Sequence, residues 1–247
     1  ARSSAEVAGL FVNLILLFDE DWVEPAGRVR LEGRRRRHVL EIHRAQVGDE
    51  LRVGRLDGPV GRGRITLLDD DALEMEVSLE ADPPPPLPVT LVLALPRPPV
   101  LRRALIAVTS MGVKRIVLIG AAGVEKSFWQ SHALAEEALF DQCVLGLEQA
   151  RDTRMPEVRL RKRFKPFVED EMEALLVGTR GFVAQPAPTA AAPRGLAGSL
   201  LLAVGPESGW NSYELASLEA AGLERISLGD RPLRVETALP ALLARLF

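Results

Sequence analysis

The sequence predicts an α/β protein in two parts, a small β-barrel followed by a larger domain with a parallel sheet. Three observations carry this reading. Between Asn13 and Leu79 short apolar runs alternate with Gly and Asp turns, the pattern of a small barrel. Asp82–Pro88 (DPPPPLP) is stiff and extended and marks a boundary. From Val89 onward, apolar runs of strand length alternate with helical segments, which is how a parallel sheet is built. The expected organisation is a barrel over residues 13–81, a linker over 82–88 and an α/β domain over 89–247. Residues 1–12 fit nothing that follows and read as a disordered or non-native extension.

In the first part, Asn13–Phe18 reads as a strand. Arg34–Ile42, with His43 and Arg44, reads as a basic helix with Val39, Leu40 and Ile42 turned inward. Gly48-Asp49 turns the chain into the strand Glu50–Val53. Gly58-Pro59 makes a hairpin turn, and Gly61–Leu68 and Ala72–Leu79 continue as strands. From Arg28 to Arg64 eleven arginines stand against five acids, although the whole chain carries a net charge of −3. A local basic patch matters more for RNA than the total does. The alternative for Arg34, Arg35, Arg36 and Arg37 is a solvated charge run. His38 and His43 lack a third ligand nearby and read as surface or RNA-facing rather than metal-binding.

In the second part the expected order is strand Val89–Ala94, helix Val100–Met111, strand Arg115–Ile119 and a long helix from Ser131 to Ala150. Strand Glu157–Arg161, helix Val168–Leu175 and strand Gly181–Ala184 follow. Pro186–Pro193, rich in Pro and Ala, reads as a surface loop. Leu200–Val204 and Ile226–Leu228 are short apolar runs that each stop at a glycine-containing loop. The loops are Gly205-Pro206-Glu207-Ser208-Gly209 and Gly229-Asp230-Arg231-Pro232. Ser212–Gly222 between them reads as a helix capped by Ser212 and stopped by Gly222. Both loops are then expected at the carboxyl ends of neighbouring strands, where open parallel sheets bind ligands. Glycines let the backbone approach a ligand, and peptide groups offer the donor and acceptor that an adenine edge needs. The second loop runs into Leu233-Arg234-Val235-Glu236-Thr237-Ala238, a charged cluster opening the last helix. Trp210, just after the first loop, would either stack on a base or plug the loop against the core.

Composition narrows the classes. A chain of 247 residues that is 47% hydrophobic supports a sizeable core. The single cysteine, Cys143, allows no disulfide within the chain and favours a cytoplasmic setting. Leu10–Phe18 is too short to span a bilayer, which takes about 20 residues, and it lacks the leader and cleavage site of a signal peptide. A Rossmann or P-loop nucleotide enzyme is disfavoured. No G-x-G-x-x-G follows the first strand of the α/β part, and no P-loop lysine motif occurs.

GPESGW followed by LGDRPLRVETA resembles the paired signature of the SPOUT methyltransferases, and within them the RsmE family of 16S rRNA (uracil-N3)-methyltransferases. HVLEIHRAQVGDELRVGRLDG resembles that family's PUA-like barrel. LEQAR with MPEV resembles its EQ-x-x-R…PE segment. The resemblance implies a C-terminal SPOUT α/β domain with a deep trefoil knot, preceded by a small PUA-like β-barrel. It implies S-adenosylmethionine (SAM) as cofactor, a homodimer through the knotted domain, and 16S rRNA or the small ribosomal subunit as substrate, with no metal and no membrane. Val204, Gly205, Pro206, Glu207, Gly209, Leu228, Gly229, Leu233, Thr237 and Ala238 would hold the cofactor. Arg34, Arg35, Arg36, Arg37, Arg44, Arg97, Lys126 and Arg151 would meet RNA. The chain departs from the family pattern at Ser208, which replaces a glycine and is disfavoured if the backbone there needs a positive φ. Ala107 and Ser110 stand where the family has Lys and Glu.

Methyl transfer is an in-line displacement, so the enzyme mainly places a nucleophile ~3 Å from the methyl carbon. Uracil N3 must lose its proton as it attacks, and charge developing on O2 and O4 favours a nearby cation. The implied cation is Arg234. Either Glu207 or Glu236 would orient it or take the proton. Two other readings stay open: a SPOUT-like RNA-binding protein with weakened catalysis, and a SPOUT methyltransferase acting on a different RNA nucleotide.

Overall fold

The computed structural model describes residues 13–43, 45–186 and 190–247, without the side chains of residues 34, 38, 42 and 43. Contacts divide the chain into two units. Unit 1 takes the chain up to Pro85 together with Leu147–Met155, and unit 2 takes Pro86–Gly146 and Pro156–Phe247.

Unit 1 is a six-stranded sheet in the order β1-β4-β5-β6-β3-β2. Its strands are β1 (Ile15–Leu17), β2 (Trp22–Val23), β3 (Arg28–Leu31), β4 (Glu50–Arg55), β5 (Val60–Leu68) and β6 (Leu73–Ala81). β1 pairs parallel with β4, and every other pair is antiparallel. The alternation of side chains decides the faces. Leu51 and Val53 of β4, Ile65 of β5 and Met75 of β6 turn into the core, where they meet Leu17 and Leu31. Arg52, Arg62 and Arg64 turn outward. The expected single basic helix is instead a short α1 (Gly33–His38) that runs into a π-helical turn, Val39–His43. β2 and β3 are not anticipated by the sequence reading, because the alternating Arg28-Val29-Arg30-Leu31 is only four residues long.

The sequence reading also gives 147–155 to the second domain, whereas its contacts are with unit 1. Leu14 N–H donates to Glu148 O (2.9 Å), and Asp57 N–H donates to Thr153 O (2.8 Å). Thr153 Oγ1 donates to Gly58 O (2.5 Å) and Met155 N–H to Asp57 Oδ1 (2.7 Å). The close approach uses Gly54, where an added Cβ would lie 2.4 Å from Thr153 Cγ2.

Unit 2 is a six-stranded sheet in the order β12-β10-β11-β7-β8-β9, with every pairing parallel. In chain order its elements are β7 (Leu87–Ala94), α2 (Pro98–Ser110), β8 (Val113–Ile119), α3 (Glu136–Ala150), β9 (Glu157–Arg161), α4 (Phe164–Asp170) and α5 (Met172–Leu176). Then come β10 (Arg180–Ala184), β11 (Leu200–Val204), α6 (Ser212–Ala220), β12 (Glu224–Ile226) and α7 (Val235–Leu246). α3 passes from one unit to the other, its last turn lying in unit 1. The central strands are covered on both faces, so they read as unbroken apolar runs. Leu91 and Leu93 of β7 enter one core, and Val92 and Ala94 enter the other.

Three expectations shift. β7 begins at Leu87, inside the expected linker, because Leu87 N–H already donates to Gly112 O (2.9 Å). The long helix begins at Glu136, and Ser131 caps a 3-10 turn, His132–Leu134, ahead of it. The two glycine loops leave strands that are not neighbours, since β10 lies between β11 and β12. Adjacency along the chain does not survive parallel crossovers, which carry each strand past the helix that connects it. The chain builds β7, β8 and β9 toward one edge and β10, β11 and β12 on the other side of β7, so the order of strand addition reverses at the β7–β11 pair.

Candidate active site

Three loops at the carboxyl ends of β10, β11 and β12 enclose a cleft of about 680 Å³, counted out to the solvent at its mouth. That size suits a small-molecule ligand. Gln185 and Pro186 come from the first loop, Gly205, Pro206, Glu207 and Gly209 from the second, and Ser227, Leu228, Gly229, Arg231, Pro232 and Leu233 from the third. One face of α7, at Val235, Ala238 and Leu242, closes it with helical spacing. The walls are largely apolar.

The glycines are used. Gly209 and Gly229 sit at φ +76° and +116°, where a side chain is strained. Gly205 lets the Trp210 backbone come close: an added Cβ would lie 3.2 Å from Trp210 N and from its Nε1. Ser208 has no positive φ, so its Cβ carries no backbone penalty. Trp210 is only 5% exposed and packs on Phe164 with ring centroids 5.9 Å apart. It therefore plugs the loop, and the stacking alternative falls. Its Nε1 is buried without a hydrogen-bond partner, and so is Gln185 Oε1.

Of the residues expected to hold the cofactor, Val204, Gly205, Pro206, Glu207, Gly209, Leu228, Gly229, Leu233 and Ala238 line the cleft. Thr237 does not: it is exposed on the first turn of α7, its N–H donating to Arg234 O (2.9 Å). The sequence reading misses Gln185, Pro186 and Ser227. Ser227 Oγ accepts from Gly229 N–H (3.0 Å), which shapes the third loop. Ala192 N–H donates to Ser227 O (2.8 Å), tying the expected surface loop to β12's exit. Glu214 is missed as well. It is 3% exposed, and its carboxylate accepts from Ala122 N–H (2.6 Å) and Asn211 N–H (3.0 Å). Asn211, not Ser212, is the cap of α6, and Asn-x-x-Glu is a readable capping box. Glu214 so fixes the loop after β8, whose Gly123 lies against Ser208 and Pro206.

The charged candidates separate. Arg234 is the N-cap residue of α7, exposed at the rim between two lining residues, Leu233 and Val235. Glu207 lines the cleft and makes a long contact of 3.5 Å with Arg97. Glu236 pairs with Arg103 at 3.0 Å. Its own backbone N–H at the start of α7, and then Arg103 and Arg234, hold its carboxyl below the usual range. Each carboxylate therefore has its hydrogen-bond partner on an arginine other than Arg234. The cause is that α2 and α7 share one apolar core, which brings Arg103 to Glu236.

The expected RNA contacts also divide. Arg35 is no surface residue: it pairs with Asp21, donates to Leu16 O (3.2 Å) and lies over the Phe18 ring, 4.7 Å from its centroid. Arg36 donates to Asp69 O (2.9 Å). Arg37 and Lys126 are exposed, Arg97 faces Glu207, and Arg151 follows α3 in the left-handed region at φ +58°. Arg44 and the side chains of Arg34, His38 and His43 lie outside the described residues. Among the described residues no group of three or more His, Cys, Asp or Glu could hold a metal, and no helix is long and apolar enough to cross a membrane.

Fold and cleft together define a parallel α/β domain with a ligand-sized cleft at the carboxyl ends of β10, β11 and β12. Comparison with known proteins supplies the family. Residues 83–247 match the RNA methyltransferase domain, and the chain belongs to that family. It is 28% identical over 237 residues to the ribosomal RNA small subunit methyltransferase E of Treponema pallidum (strain Nichols), covering 92% of this chain and 87% of that protein. The fold resembles the crystal structure of a ribosomal RNA small subunit methyltransferase E from Neisseria gonorrhoeae bound to S-adenosyl methionine. The TM-score is 0.72 at 20% identity, covering 94% of this chain and 95% of that one. A Legionella pneumophila protein described as a methyltransferase, in complex with bound SAM, gives a TM-score of 0.71 at 20% identity, covering 94% and 96%.

Proposed function

We propose that this chain is a SAM-dependent methyltransferase of small-subunit ribosomal RNA that acts on N3 of a uridine. The observation that carries the proposal is the cleft, where both signature glycine loops meet in a member of the RNA methyltransferase family. The T. pallidum relative's name supplies ribosomal RNA, and the SAM-bound proteins of like fold supply the cofactor. The residues present fit SAM. Val204, Ile226 and Leu228 offer an apolar slot for a purine, and the glycine loops offer peptide groups beside it. Gln185 Oε1 is a buried acceptor that an entering N–H would satisfy.

When bound, SAM supplies a methyl group on a sulfonium, ready for displacement. The chain's own part is to orient the uracil, exclude water and handle one proton. Arg234, at the rim, offsets the negative charge that develops on O2 and O4. Glu207 lines the cleft whereas Glu236 does not, so Glu207 is the better placed acceptor for the N3 proton. Arg97 steadies Glu207. The Glu207 carboxylate would take the N3 proton, freeing N3 to accept the methyl group that bound SAM would release from its sulfur.

The resemblance adds finer features to this proposal: a trefoil knot in unit 2, a homodimer through it, a PUA-like character for residues 13–81, and work in the cytoplasm, where ribosomal subunits are assembled. Replacing Arg234 by Ala should abolish methylation while calorimetry still reads a SAM affinity within about threefold of wild type, roughly the resolution of 0.6 kcal/mol. Loss of SAM binding together with a collapsed fold would make Arg234 structural instead.

A further inference from the structure

Among the described residues of unit 1, most arginine side chains end on a partner. Arg28, Arg30, Arg35 and Arg55 each meet a carboxylate of the same unit. The outer face of β4 and β5 is different. Arg52 lies in register with Arg62, so their Cβ atoms are about 5 Å apart on one face, where like charges repel. Arg64 is next along that face, in register with Glu50. The Glu50 carboxylate turns to Arg62 instead, at 3.2 Å, with side chains 56% and 78% exposed. So open a pair contributes little. Among the described residues, no carboxylate lies within 4 Å of the Arg52 or Arg64 guanidinium.

The stitched segment 147–155 places Arg151 close enough to repel Arg52. Partial burial, then Arg151, then Arg62 make the Arg52 guanidinium easier to deprotonate than usual. The other groups on this face are Glu76, in register with Arg64 and paired with Arg28 at 3.1 Å, Ser78, in register with Arg62, and Glu80, which accepts from the Ser78 hydroxyl (2.6 Å). Gathering like charges opposes folding, and a bound anion would reverse that cost.

We propose that Arg52, Arg62 and Arg64, with Arg151 beside them, form a phosphate-binding face that grips the RNA backbone. RNA as the source of the phosphate rests on the function proposed above. Planar guanidinium forks suit phosphate oxygens. Backbone contacts of this kind set affinity, register and salt dependence without reading sequence. The face lies on the β4–β5 hairpin rather than on α1, where the run of four arginines points.

The test uses the full chain carrying R52Q and R64Q together. Binding is measured over a salt series to two probes, a small-subunit rRNA fragment and an unrelated RNA duplex. The slope of log affinity against log salt should fall by about 1.4–1.8, for two lost phosphate contacts. Both probes should weaken alike, and SAM affinity should stay at the wild-type value. Conversely, E50Q should tighten both RNAs. An unchanged slope in a variant with wild-type melting and SAM affinity would overturn the proposal, as would E50Q without effect. If the wild-type protein methylates no ribosomal RNA, the functional reading fails, and the duplex series still decides whether this face holds phosphate.

Discussion

At the scale of single residues, the same side chain type does opposite work according to its surroundings. Arg35 and Arg37 are two positions apart in one basic run, yet Arg35 sits in a pair only 18% and 4% exposed with Asp21, while Arg37 is exposed. Breaking a buried pair leaves an uncompensated charge, so Arg35→Ala should cost about 3 kcal/mol. Arg37→Ala should stay within about 0.5 kcal/mol, and denaturant unfolding of the two variants checks the difference. The run of arginines is visible in sequence, but the partner of Arg35 is fourteen residues away and only the fold selects it. Glu236 gives a second test. Its carboxyl is held down first by its own backbone N–H and then by Arg103. Stability from its charge is therefore present above the ordinary carboxylate value of ~4.3, and is lost only as pH falls through the lower, folded value. An NMR titration should place Glu236 below that ordinary value in the wild type. In Arg103→Gln it should remain below it, because the larger cause stays.

At the scale of elements, the strands and loops that carry a local signal were legible. Leu200–Val204 and the two glycine loops read directly, since an unbroken apolar run stopped by glycine needs no tertiary information. Gln185 was not legible, because nothing in Ala184-Gln185-Pro186 distinguishes a cleft wall from a surface turn until β10 is placed between β11 and β12. The cap of α6 could be misplaced by one residue, as Asn211 and Ser212 both suit the role. Only Glu214, three residues after Asn211, decides between them. The segment 147–155 was hidden for a related reason: its hydrogen bonds go to β1's entry and the β4–β5 turn, far off in sequence. Its seat can be tested at Gly54, whose added Cβ would lie 2.4 Å from Thr153 Cγ2. Gly54→Ala should cost about 1–3 kcal/mol by overpacking. Thr153→Ser, which removes that methyl and keeps the hydroxyl bonded to Gly58 O, should restore most of the loss in the double variant. Strict additivity in a double-mutant cycle would show that the two side chains do not meet.

At the scale of the whole molecule, the texture of the sequence changes around Asp82–Pro88, and contacts divide the chain into one unit up to Pro85 with Leu147–Met155 and another of Pro86–Gly146 with Pro156–Phe247. The order of strands in unit 2 did not follow, because crossover topology is a property of the sheet and not of any one segment. The cleft exists because three separate strands end side by side and α7 lays one face across them. The functional account rests on that convergence and on the chemistry of methyl transfer to a nitrogen. It is tested most directly by incubating the full chain with SAM and unmodified small-subunit ribosomal RNA, then analysing the nucleosides by mass spectrometry. The account predicts 3-methyluridine at one position, dependent on the protein and absent with Arg234→Ala. Ribosomal RNA left unmethylated by a protein that is folded and binds SAM would contradict it.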